Sequence, residues 1–310
     1  MQDNTIIIGT RGSQLAMYQA NIVRETLLNT FPSIKTEIKI IKTKGDKILD
    51  VALSKIGDKG LFTKELEVAM LNNEIDLAVH SLKDLPTQLP EGFSVSAILK
   101  RGNFRDALVS RDGLKLCELT SQHKIATSSL RRIANLRNYN PEFQIIDIRG
   151  NVNTRLKKME DGYCDAMVMA AAGLERLGLD HYITEILDPV EFIPAVAQGA
   201  IAVETLTNNS KLNELLSNIS DSLTESQVTA ERAFMKKLEG GCQVPVGAYT
   251  SVNGKELILT GFVSSTDASE FLKDSIVGST EEAQALGERL AIKLINQGAN
   301  DILNAIRAGE

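Results

Sequence analysis

The feature that most constrains the fold is a repeated order of short apolar runs and segments with helical periodicity. Residues 5–9 form an apolar run, and Ser13 then opens a segment whose apolar positions fall on one helical face as far as about Thr30. The same order of apolar run, hydroxyl residue and arginine recurs at 125–132. Strands that alternate with helices are typical of α/β proteins with largely parallel sheets. The repeat therefore predicts two similar α/β lobes.

Later segments extend this repeat. In the first copy the pattern predicts strands over 38–43 and 75–80, with a helix over 62–71 between them. The counterparts of the two strands in the second copy lie at 145–150 and 165–168. The match between the copies favours a duplicated unit over one long domain.

The first copy carries extra residues in its connections, and many of them lie in the segment 45–60. This segment begins and ends with glycine and is rich in charge, with Lys55 and Lys59 among its basic residues. A long segment of this kind beside a strand end is either a mobile lid over a site or a surface loop that tolerates insertion. The residues of the segment alone leave both interpretations open.

The last third of the chain has a different pattern. Capping boxes at 224–227 and 279–282 open two predicted helices, and strands are predicted over 246–252 and 257–263. These elements predict a third, smaller α/β domain.

Composition excludes several classes of protein. The 310 residues carry a net charge of −6, so broad electrostatic attraction to nucleic acid or to an anionic membrane is not expected. No apolar run approaches the roughly 18 residues of a membrane span, and the first residues lack the pattern of a secretory signal. Three cysteines and three scattered histidines predict neither a disulfide framework nor a zinc site. We therefore expect a cytoplasmic protein without a metal.

Six arginines are expected to gather near one edge of the predicted sheets. Five of them lie at or just after the ends of predicted strands, and the sixth follows a helical segment. They are Arg11, Arg131, Arg132, Arg149, Arg155 and Arg176. The carboxyl edge of parallel strands faces the ligand crevice in α/β sheets, and guanidinium groups bind carboxylate or phosphate through paired hydrogen bonds. The set predicts a small polyanionic ligand, although any one of these residues alone has an ordinary surface arginine as its alternative.

Two further residues are candidates for chemistry. Asp84 follows the strand 75–80 on a short segment restrained by Pro86, where a fixed carboxylate serves as acid, base or stabiliser of positive charge. Cys242 follows two glycines and precedes Pro245, so a tight loop would present its thiol for covalent attachment. The alternatives are a solvated or helix-capping aspartate and an inert thiol.

Taken together, six motifs resemble the porphobilinogen deaminase, or hydroxymethylbilane synthase, family. They run from near the N-terminus into the third predicted domain. The motifs are RGSQLA at 11–16, GDKGLF at 57–62, HSLKDLP at 80–86, TSSLRR at 127–132, RGNVNTR at 149–155 and LEGGC at 238–242.

The resemblance implies a transferase of tetrapyrrole biosynthesis. Such an enzyme deaminates four porphobilinogen molecules in turn and joins them to a dipyrromethane cofactor, which a thioether would hold on Cys242. Water then releases the linear product hydroxymethylbilane. The carboxylates of each pyrrole account for the arginines, and Asp84 would stabilise the positive charge that remains when ammonia leaves.

The family's site residues carry over by position. The catalytic residue would be Asp84. The cofactor ligands would be Cys242, Ser13, Lys83, Asp84, Ser129, Arg131, Arg132 and Arg155. The substrate ligands would be Arg11, Arg149, Arg155, Arg176, Ser81, Phe62, Lys55 and Lys59.

The resemblance also implies an architecture. Two lobes similar to periplasmic binding proteins would comprise 1–99 with 200–217 and 100–199, and the cofactor-attachment domain would comprise 220–310. The segment 45–60 would be a mobile active-site loop. The implied partners are porphobilinogen as substrate and uroporphyrinogen-III synthase as receiver of the product. We expect a monomer that binds neither nucleic acid nor membrane.

A ligand-binding or sensor protein on the same two-lobed scaffold is the competing hypothesis, since a fold does not dictate chemistry. Asp84 and the domain that carries Cys242 discriminate against it, because a protein that only binds has no evident need for either.

Overall fold

The computed structural model describes residues 5–47, 62–239 and 244–309. The chain forms two compact units. Unit 1 comprises Met1–Gly102 and Ala200–Glu225, and unit 2 comprises Asn103–Gly199 and Ser226–Glu310. The chain thus leaves the first unit once and later returns to it.

The strands and helices of the described residues are as follows, numbered in chain order. The strands are β1 Thr5–Thr10, β2 Lys35–Ile40, β3 Leu77–Ser81, β4 Phe93–Ile98, β5 Asp106–Ser110, β6 Lys124–Ala126, β7 Gln144–Ile146, β8 Ala166–Ala170, β9 Glu185–Ile186, β10 Ile201–Leu206, β11 Val246–Asn253, β12 Glu256–Ser264 and β13 Phe271–Ser279. The helices are α1 Gln14–Thr30, α2 Lys44–Lys47, α3 Lys64–Leu71, α4 Leu130–Tyr139, α5 Val152–Glu160, α6 Ala171–Glu175, α7 Ser210–Ser217, α8 Ser222–Lys237, α9 Ala283–Asn296 and α10 Ala299–Ala308.

Unit 1 contains a five-stranded sheet of order β2-β1-β3-β10-β4. Strand β1 pairs in parallel with β2 and β3, whereas β10 runs antiparallel to β3 and β4. Ile6 and Ile8 of β1 are buried in the same core as Val23 and Leu27 of α1. This core follows from the sequence, since alternate strand residues and one face of the helix are apolar.

Unit 2 contains a second five-stranded sheet of order β7-β6-β8-β5-β9. Strand β6 pairs in parallel with β7 and β8, and β5 runs antiparallel to β8 and β9. In sheet position and direction, β6, β7 and β8 match β1, β2 and β3. The internal repeat predicted from the sequence is therefore confirmed, and with it the α/β fold class.

A three-stranded antiparallel sheet of order β11-β12-β13 lies in unit 2 as well. Helices α8 and α9 pack closely, and the peptide chain of α8 comes within van der Waals distance of Gly287 on α9. The segment 226–310 thus lies, with its own sheet and the helices α9 and α10, in the same compact unit as the second five-stranded sheet, whereas residues 220–225 belong to unit 1. Its separation as a third domain stays a prediction.

Several predicted boundaries are wrong. The strand predicted over 38–43 is β2, which ends at Ile40, and β13 was not foreseen. Helix α8 does not begin in a capping box at 224–227, because Asp221 is the cap. Its carboxylate accepts hydrogen bonds from the backbone nitrogen of Thr224 at 2.8 Å and from the Thr224 hydroxyl at 2.6 Å.

Among the described residues, no helix is both long and apolar enough to cross a membrane.

The close approach of α8 and α9 leads to a stability prediction for Gly287→Ala. A Cβ at this position would lie 2.8 Å from the backbone nitrogen of Phe234 and would also contact the carbonyl oxygen of Ala230. Backbone atoms cannot rotate away, so we expect an overpacking cost of about 2–3 kcal/mol. This cost exceeds the gain of about 1 kcal/mol in helix propensity. The midpoint of urea unfolding should fall.

Ala285→Gly on the exposed side of the same helix is the control, because it changes propensity alone. A Gly287→Ala protein that unfolds at a higher urea concentration than the wild type would contradict the close packing.

Candidate active site

The pairing of β1 with β3 brings two of the predicted motifs together in unit 1. The two strands are parallel neighbours, with Ile8 opposite Leu77 and Gly9 opposite Ala78. Their carboxyl ends therefore lie side by side at one edge of the sheet. The residues after β1 begin the 11–16 motif, and the residues after β3 complete the 80–86 motif.

The amino end of α1 provides the first group at this edge. Ser13 is the N-cap, and its hydroxyl accepts a hydrogen bond from the backbone nitrogen of Ala16 at 3.3 Å. The other backbone N–H groups of a first helical turn have no partner within the helix, and the helix dipole adds positive potential there. Such an end favours an anionic ligand.

Phe62 covers the neighbouring Arg11. The guanidinium carbon of Arg11 lies 4.0 Å from the centroid of the Phe62 ring, which is a cation–π contact. The ring itself fills the space beside Gly45, where any Cβ would overlap it. These contacts bring together two residues that the sequence assigned to substrate binding.

Asp84 lies on a single turn of 3-10 helix, Leu82–Asp84, directly after β3. Leu82 is fully buried, and its backbone nitrogen donates to the carbonyl oxygen of Ala200 at 3.0 Å. Leu85 is also buried and its nitrogen donates to the Leu82 carbonyl, whereas Lys83 is half-buried and Asp84 is exposed. The turn thus presents a carboxylate from a fixed backbone.

Ser81 has a partner that sequence reasoning missed. Its hydroxyl accepts a hydrogen bond from the side-chain nitrogen of Gln19 at 2.8 Å. Gln19 lies on α1 and is only 2% exposed. Gln19 is separated from Ser81 by 62 residues of sequence and lies outside the 11–16 motif, so the sequence gives no signal for this pair without the fold.

In unit 2, Arg131 and Arg132 share one buried carboxylate. Asp106 accepts hydrogen bonds from Arg131 Nη1 at 2.7 Å on one oxygen, and from Arg132 Nε and Nη2 at 3.1 and 2.7 Å on the other. Asp106 is wholly buried and the two arginines are nearly so. Further donors go to the carbonyls of Ile193 and Val168. Much of the hydrogen-bonding capacity of both guanidinium groups is therefore used within the protein.

Charge explains how such a carboxylate is tolerated. Burial alone would raise the pKa of Asp106, but the charges and hydrogen bonds of Arg131 and Arg132 hold the pKa of this carboxyl well below its usual range. Burial in turn lowers the pKa of Arg131, against the attraction of Asp106. Gln198 adds a hydrogen bond to Asp106 at 3.1 Å. Neither Asp106 nor Gln198 was predicted as a site residue.

Arg149 and Arg155 lie near Arg132, and neither of them has a buried carboxylate such as Asp106 beside it among the described residues. Burial first, and then the charges of Arg132 and Arg149, lower the pKa of Arg155 to about 10. Arg155 Nε donates to the carbonyl of Gly150 at 2.8 Å. Arg149 Nε is buried and finds no hydrogen-bond acceptor among the described residues, since Asp147 Oδ2 is 3.6 Å away.

The other predicted residues of unit 2 are placed as follows. Ser129 is the N-cap of α4 and accepts from the backbone nitrogen of Arg132 at 3.5 Å. Arg176 directly follows α6, and its Nη2 donates to the carbonyl oxygen of Gly199 at 2.6 Å. Because β6, β7 and β8 are parallel neighbours, the arginines that follow β6 and β7 come together at one sheet edge.

Some predictions fall outside the described residues. Cys242 lies in the gap 240–243, and Lys55 and Lys59 lie in the gap 48–61, as does most of the segment 45–60.

Each unit thus presents groups suited to a carboxylated ligand. Unit 1 combines a helix amino end, Arg11 and a fixed carboxylate, Asp84, while unit 2 presents the buried Arg132 and the half-buried Arg149 and Arg155. Within the described part of the chain, no group of three or more histidine, cysteine, aspartate or glutamate residues is arranged to hold a metal.

Comparison with known proteins gives matches over nearly the whole chain. The family model described as porphobilinogen deaminase, dipyromethane cofactor binding domain, matches residues 6–214. The model for the porphobilinogen deaminase C-terminal domain matches residues 226–296.

Curated relatives agree with the family models. A porphobilinogen deaminase of a Nostoc species is 52% identical over 98% of this chain and 95% of its own length. The porphobilinogen deaminase of Desulforamulus reducens is 48% identical over 98% of this chain and 99% of its own length.

Solved structures with a similar fold include the periplasmic VFT2 domain of Bordetella pertussis BvgS. Its double mutant has a TM-score of 0.43 and 14% identity, over 70% of this chain and 86% of that chain. The fold assignment itself rests on the sheet topology described above.

Two family models that together span most of the chain, and relatives with about half of their residues in common with it, fix the family to which the sequence motifs pointed. The chain belongs to the porphobilinogen deaminase family and carries that family's dipyromethane cofactor binding domain.

Proposed function

We propose that this chain joins four porphobilinogen molecules, one at a time, to a dipyrromethane primer on Cys242, and that Asp84 is its catalytic carboxylate. The observation that carries the proposal is the geometry of Asp84. Its carboxylate is exposed at the edge where β1 and β3 end, on a turn anchored by the buried Leu82. Arg11 and the amino end of α1 share this edge, so a substrate carboxylate held there places its pyrrole ring near a fixed negative charge.

Asp84 has two tasks in this reaction. The substrate loses ammonia from its aminomethyl group as the C–N bond breaks, and positive charge spreads over the pyrrole that remains. A fixed carboxylate next to the pyrrole N–H stabilises that charge. When bound, the dipyrromethane would supply the free pyrrole carbon for the new C–C bond, and Asp84 is suited to accept the proton that this carbon would lose.

The arginines of unit 2 fit the acetate and propionate groups of linked pyrroles. Arg155 is protonated at neutral pH in spite of burial and two neighbouring positive charges, and Arg149 Nε lacks an acceptor. Both features are unfavourable in the protein alone and are relieved by carboxylates.

Arg131 and Arg132 keep a role in this proposal. With Asp106 between them, the pair of guanidinium groups retains a net positive charge and a fixed position. We assign them, with Ser13, Lys83 and Ser129, to the cofactor. We assign Arg11, Ser81, Phe62 and Arg176 to the substrate, together with Lys55 and Lys59.

The finer biological setting is part of the proposal. Acting as a cytoplasmic monomer, the protein would pass its linear product to uroporphyrinogen-III synthase. The low cysteine count is typical of a reducing compartment.

The first prediction concerns Asp84→Asn. The substitution keeps the shape of an exposed side chain but removes its charge and its ability to accept a proton. We expect kcat to fall at least about a hundredfold, in the range for lost acid–base and charge-stabilising catalysis, with an unchanged melting temperature. Steady-state assays with porphobilinogen measure the loss.

Glu25→Gln, an exposed carboxylate on α1, is the control and should retain wild-type activity. Near-normal turnover by Asp84→Asn would remove this residue from the mechanism.

The second prediction concerns Cys242→Ser. Intact mass under denaturing conditions should show the wild-type chain with an excess that corresponds to two linked pyrroles. The Cys242→Ser chain should show no excess, because an alcohol does not replace the thiolate in forming this bond. Cys117→Ser, at an exposed cysteine, should keep the excess.

Two results would count against this assignment. An excess retained by Cys242→Ser would place the attachment elsewhere. A wild-type chain that gains no mass on incubation with porphobilinogen would favour a protein that only binds its ligand.

The third prediction concerns Arg155→Gln and uses the sign of a pKa shift. The pKa of Arg155 is lowered to about 10 in the folded protein, well below the ordinary value for arginine, so folding disfavours its charged form. At every pH below about 10 the charge therefore costs stability, and the cost disappears as the pH rises towards the ordinary pKa of an arginine in the unfolded chain. We expect Arg155→Gln to stabilise the cofactor-free protein by on the order of 1–3 kcal/mol at pH 7, while activity falls.

Two measurements test whether stability rises while activity falls. They are urea unfolding of the cofactor-free protein and activity assays of the loaded enzyme. Arg289→Gln, at an exposed arginine of the same unit whose ion pair with Glu282 lies at the surface, should leave both quantities nearly unchanged. A less stable Arg155→Gln protein would mean that Arg155 serves the fold and not the ligand.

A further inference from the structure

Unit 1 contains buried titratable groups that the proposed chemistry does not use. His80 is the residue of β3 that precedes Ser81, and it is 6% exposed. Glu204 on the adjacent strand β10 is wholly buried, and Glu67 on α3 is nearly so. Buried groups of this kind are costly unless they are paired, so their retention at the end of β3 requires an explanation.

His80 and Glu204 form a cross-strand pair. His80 Nε2 donates to Glu204 Oε2 at 3.0 Å. In the antiparallel register His80 lies opposite Ala202 and Glu204 lies opposite Ala78, so the two side chains are diagonal neighbours on one face of the sheet. The other carboxylate oxygen of Glu204 is buried and has no hydrogen-bond partner among the described residues. His80 is therefore the one side chain in this part of the structure that satisfies Glu204.

Helix α3 covers the same face with a third group. Burial raises the pKa of Glu67 and a hydrogen bond with Thr63 lowers it, while the charge of Glu204 raises it and those of His80 and Lys64 lower it by smaller amounts. Glu67 thus interacts electrostatically with both His80 and Glu204 from the helix that covers the pair. The pair is enclosed between the sheet and α3, where no solvent replaces a lost partner.

The pair lies immediately before the turn that presents Asp84. After His80, the main chain is fastened by the pairing of Ser81 with Ile201 and by the hydrogen bond from Leu82 N to Ala200 O. Both fastenings are made to β10 or to the residue that precedes it. The position of Asp84 therefore depends on how firmly the end of β3 is held against the start of β10.

We propose that His80, held by Glu204, is a positioning residue that fixes the end of β3 against β10 and thereby sets the place of Asp84. This inference rests on the proposed catalytic role of Asp84. Small displacements of a reacting group have large effects on rate, because productive geometry is confined to a few tenths of an ångström. His80 acts through the backbone and does not touch the substrate.

The test uses Glu204→Gln in the full-length, cofactor-loaded protein. Glutamine keeps the size of the side chain and one acceptor oxygen but replaces a charge-assisted hydrogen bond by a weaker neutral one. We expect kcat to fall at least about tenfold while KM for porphobilinogen stays within about threefold of the wild type. A residue that serves stability alone would leave the kcat of the folded protein unchanged.

Hydrogen exchange provides a readout that is independent of activity. Mass spectrometry of peptides that contain the amides of Leu82 and Leu85 should show exchange at least about tenfold faster in Glu204→Gln. Peptides from β1 and α1, in the core of the same unit, should exchange as in the wild type. His80→Gln, which keeps a donor at the place of Nε2, should give the same result and replaces Glu204→Gln if that variant does not fold.

Thr205→Val is the matched control. Thr205 is the next residue of β10, is also buried, and donates to Asn213 Oδ1 at 2.7 Å. Its loss weakens the same strand on the other face, so stability should fall while kcat and the exchange of Leu82 stay unchanged.

Three outcomes would decide against the inference or its basis. Unchanged exchange at Leu82 and unchanged kcat in Glu204→Gln would overturn it. A loss of kcat that Thr205→Val reproduces, with faster exchange throughout unit 1, would reduce the pair to a stabilising contact. A wild-type protein that is inactive with porphobilinogen would instead refute the proposed function, whatever the exchange rates.

Discussion

Unit 2 depends on the burial of one carboxylate between two guanidinium groups. Two adjacent arginines that point into a protein interior repel one another and lose their hydration, and neither cost is recovered without a buried anion. Asp106 supplies that anion through both of its oxygens. Removal of one partner from a buried pair costs about 3–5 kcal/mol. The amino end of α4 and the strand β5 are thereby fixed to each other, and the arginines that follow β6 are fixed with them.

Both five-stranded sheets bury a carboxylate on the antiparallel strand that occupies the equivalent place in the sheet. The strand that runs antiparallel to the third parallel strand is β10 in unit 1 and β5 in unit 2. Each carries a wholly buried acidic residue, Glu204 or Asp106, bound to a nitrogen-bearing side chain from a neighbouring element. The two carboxylates are not at equivalent positions, since Asp106 lies opposite the last residue of β8 and Glu204 lies opposite the second residue of β3. The repeat thus preserves the plan of the sheet, and each sheet buries a carboxylate of its own.

The sequence alone predicted those parts of the fold that local patterns determine. The strands β1, β3, β6 and β8 and the cap of α1 at Ser13 were recognisable, because apolar period and capping chemistry are local properties. The failures have non-local causes. Thr224 looked like a helix cap, but Asp221, one turn earlier, has the carboxylate that the backbone uses. The solvent-facing strand β13 alternates weakly and depends on β12 for its pairing.

For the candidate site as well, residues in local motifs were predicted from the sequence and their distant partners were not. Motif residues such as Ser81 and Arg131 were identified by type and position, but their partners Gln19 and Asp106 were not. Asp106 is 25 residues from Arg131 in the chain, and nothing in its own neighbourhood distinguishes it from an ordinary strand-initiating aspartate. An arginine such as Arg131 can be predicted as a site residue because it belongs to a recognisable motif. Its carboxylate partner is identified only from the fold, which brings distant strands together.

The arginines of unit 2 differ in how far neighbouring carboxylates offset their positive charge. This difference distinguishes arginines that hold the protein together from arginines that are suited to bind a ligand. Arg131 and Arg132 share the wholly buried carboxylate of Asp106. Arg149 and Arg155 have no buried carboxylate of this kind among the described residues. Arg149 pairs only loosely with the exposed Asp147, at 3.6 Å, and burial together with the charges of Arg132 and Arg149 lowers the pKa of Arg155. Any carboxylated ligand that supplies the missing charge must stabilise the folded state, since it binds that state and not the unfolded chain. A ligand tethered covalently to the same chain would supply this stabilisation permanently. A covalently held primer would therefore complete the electrostatics of the fold as well as begin the reaction.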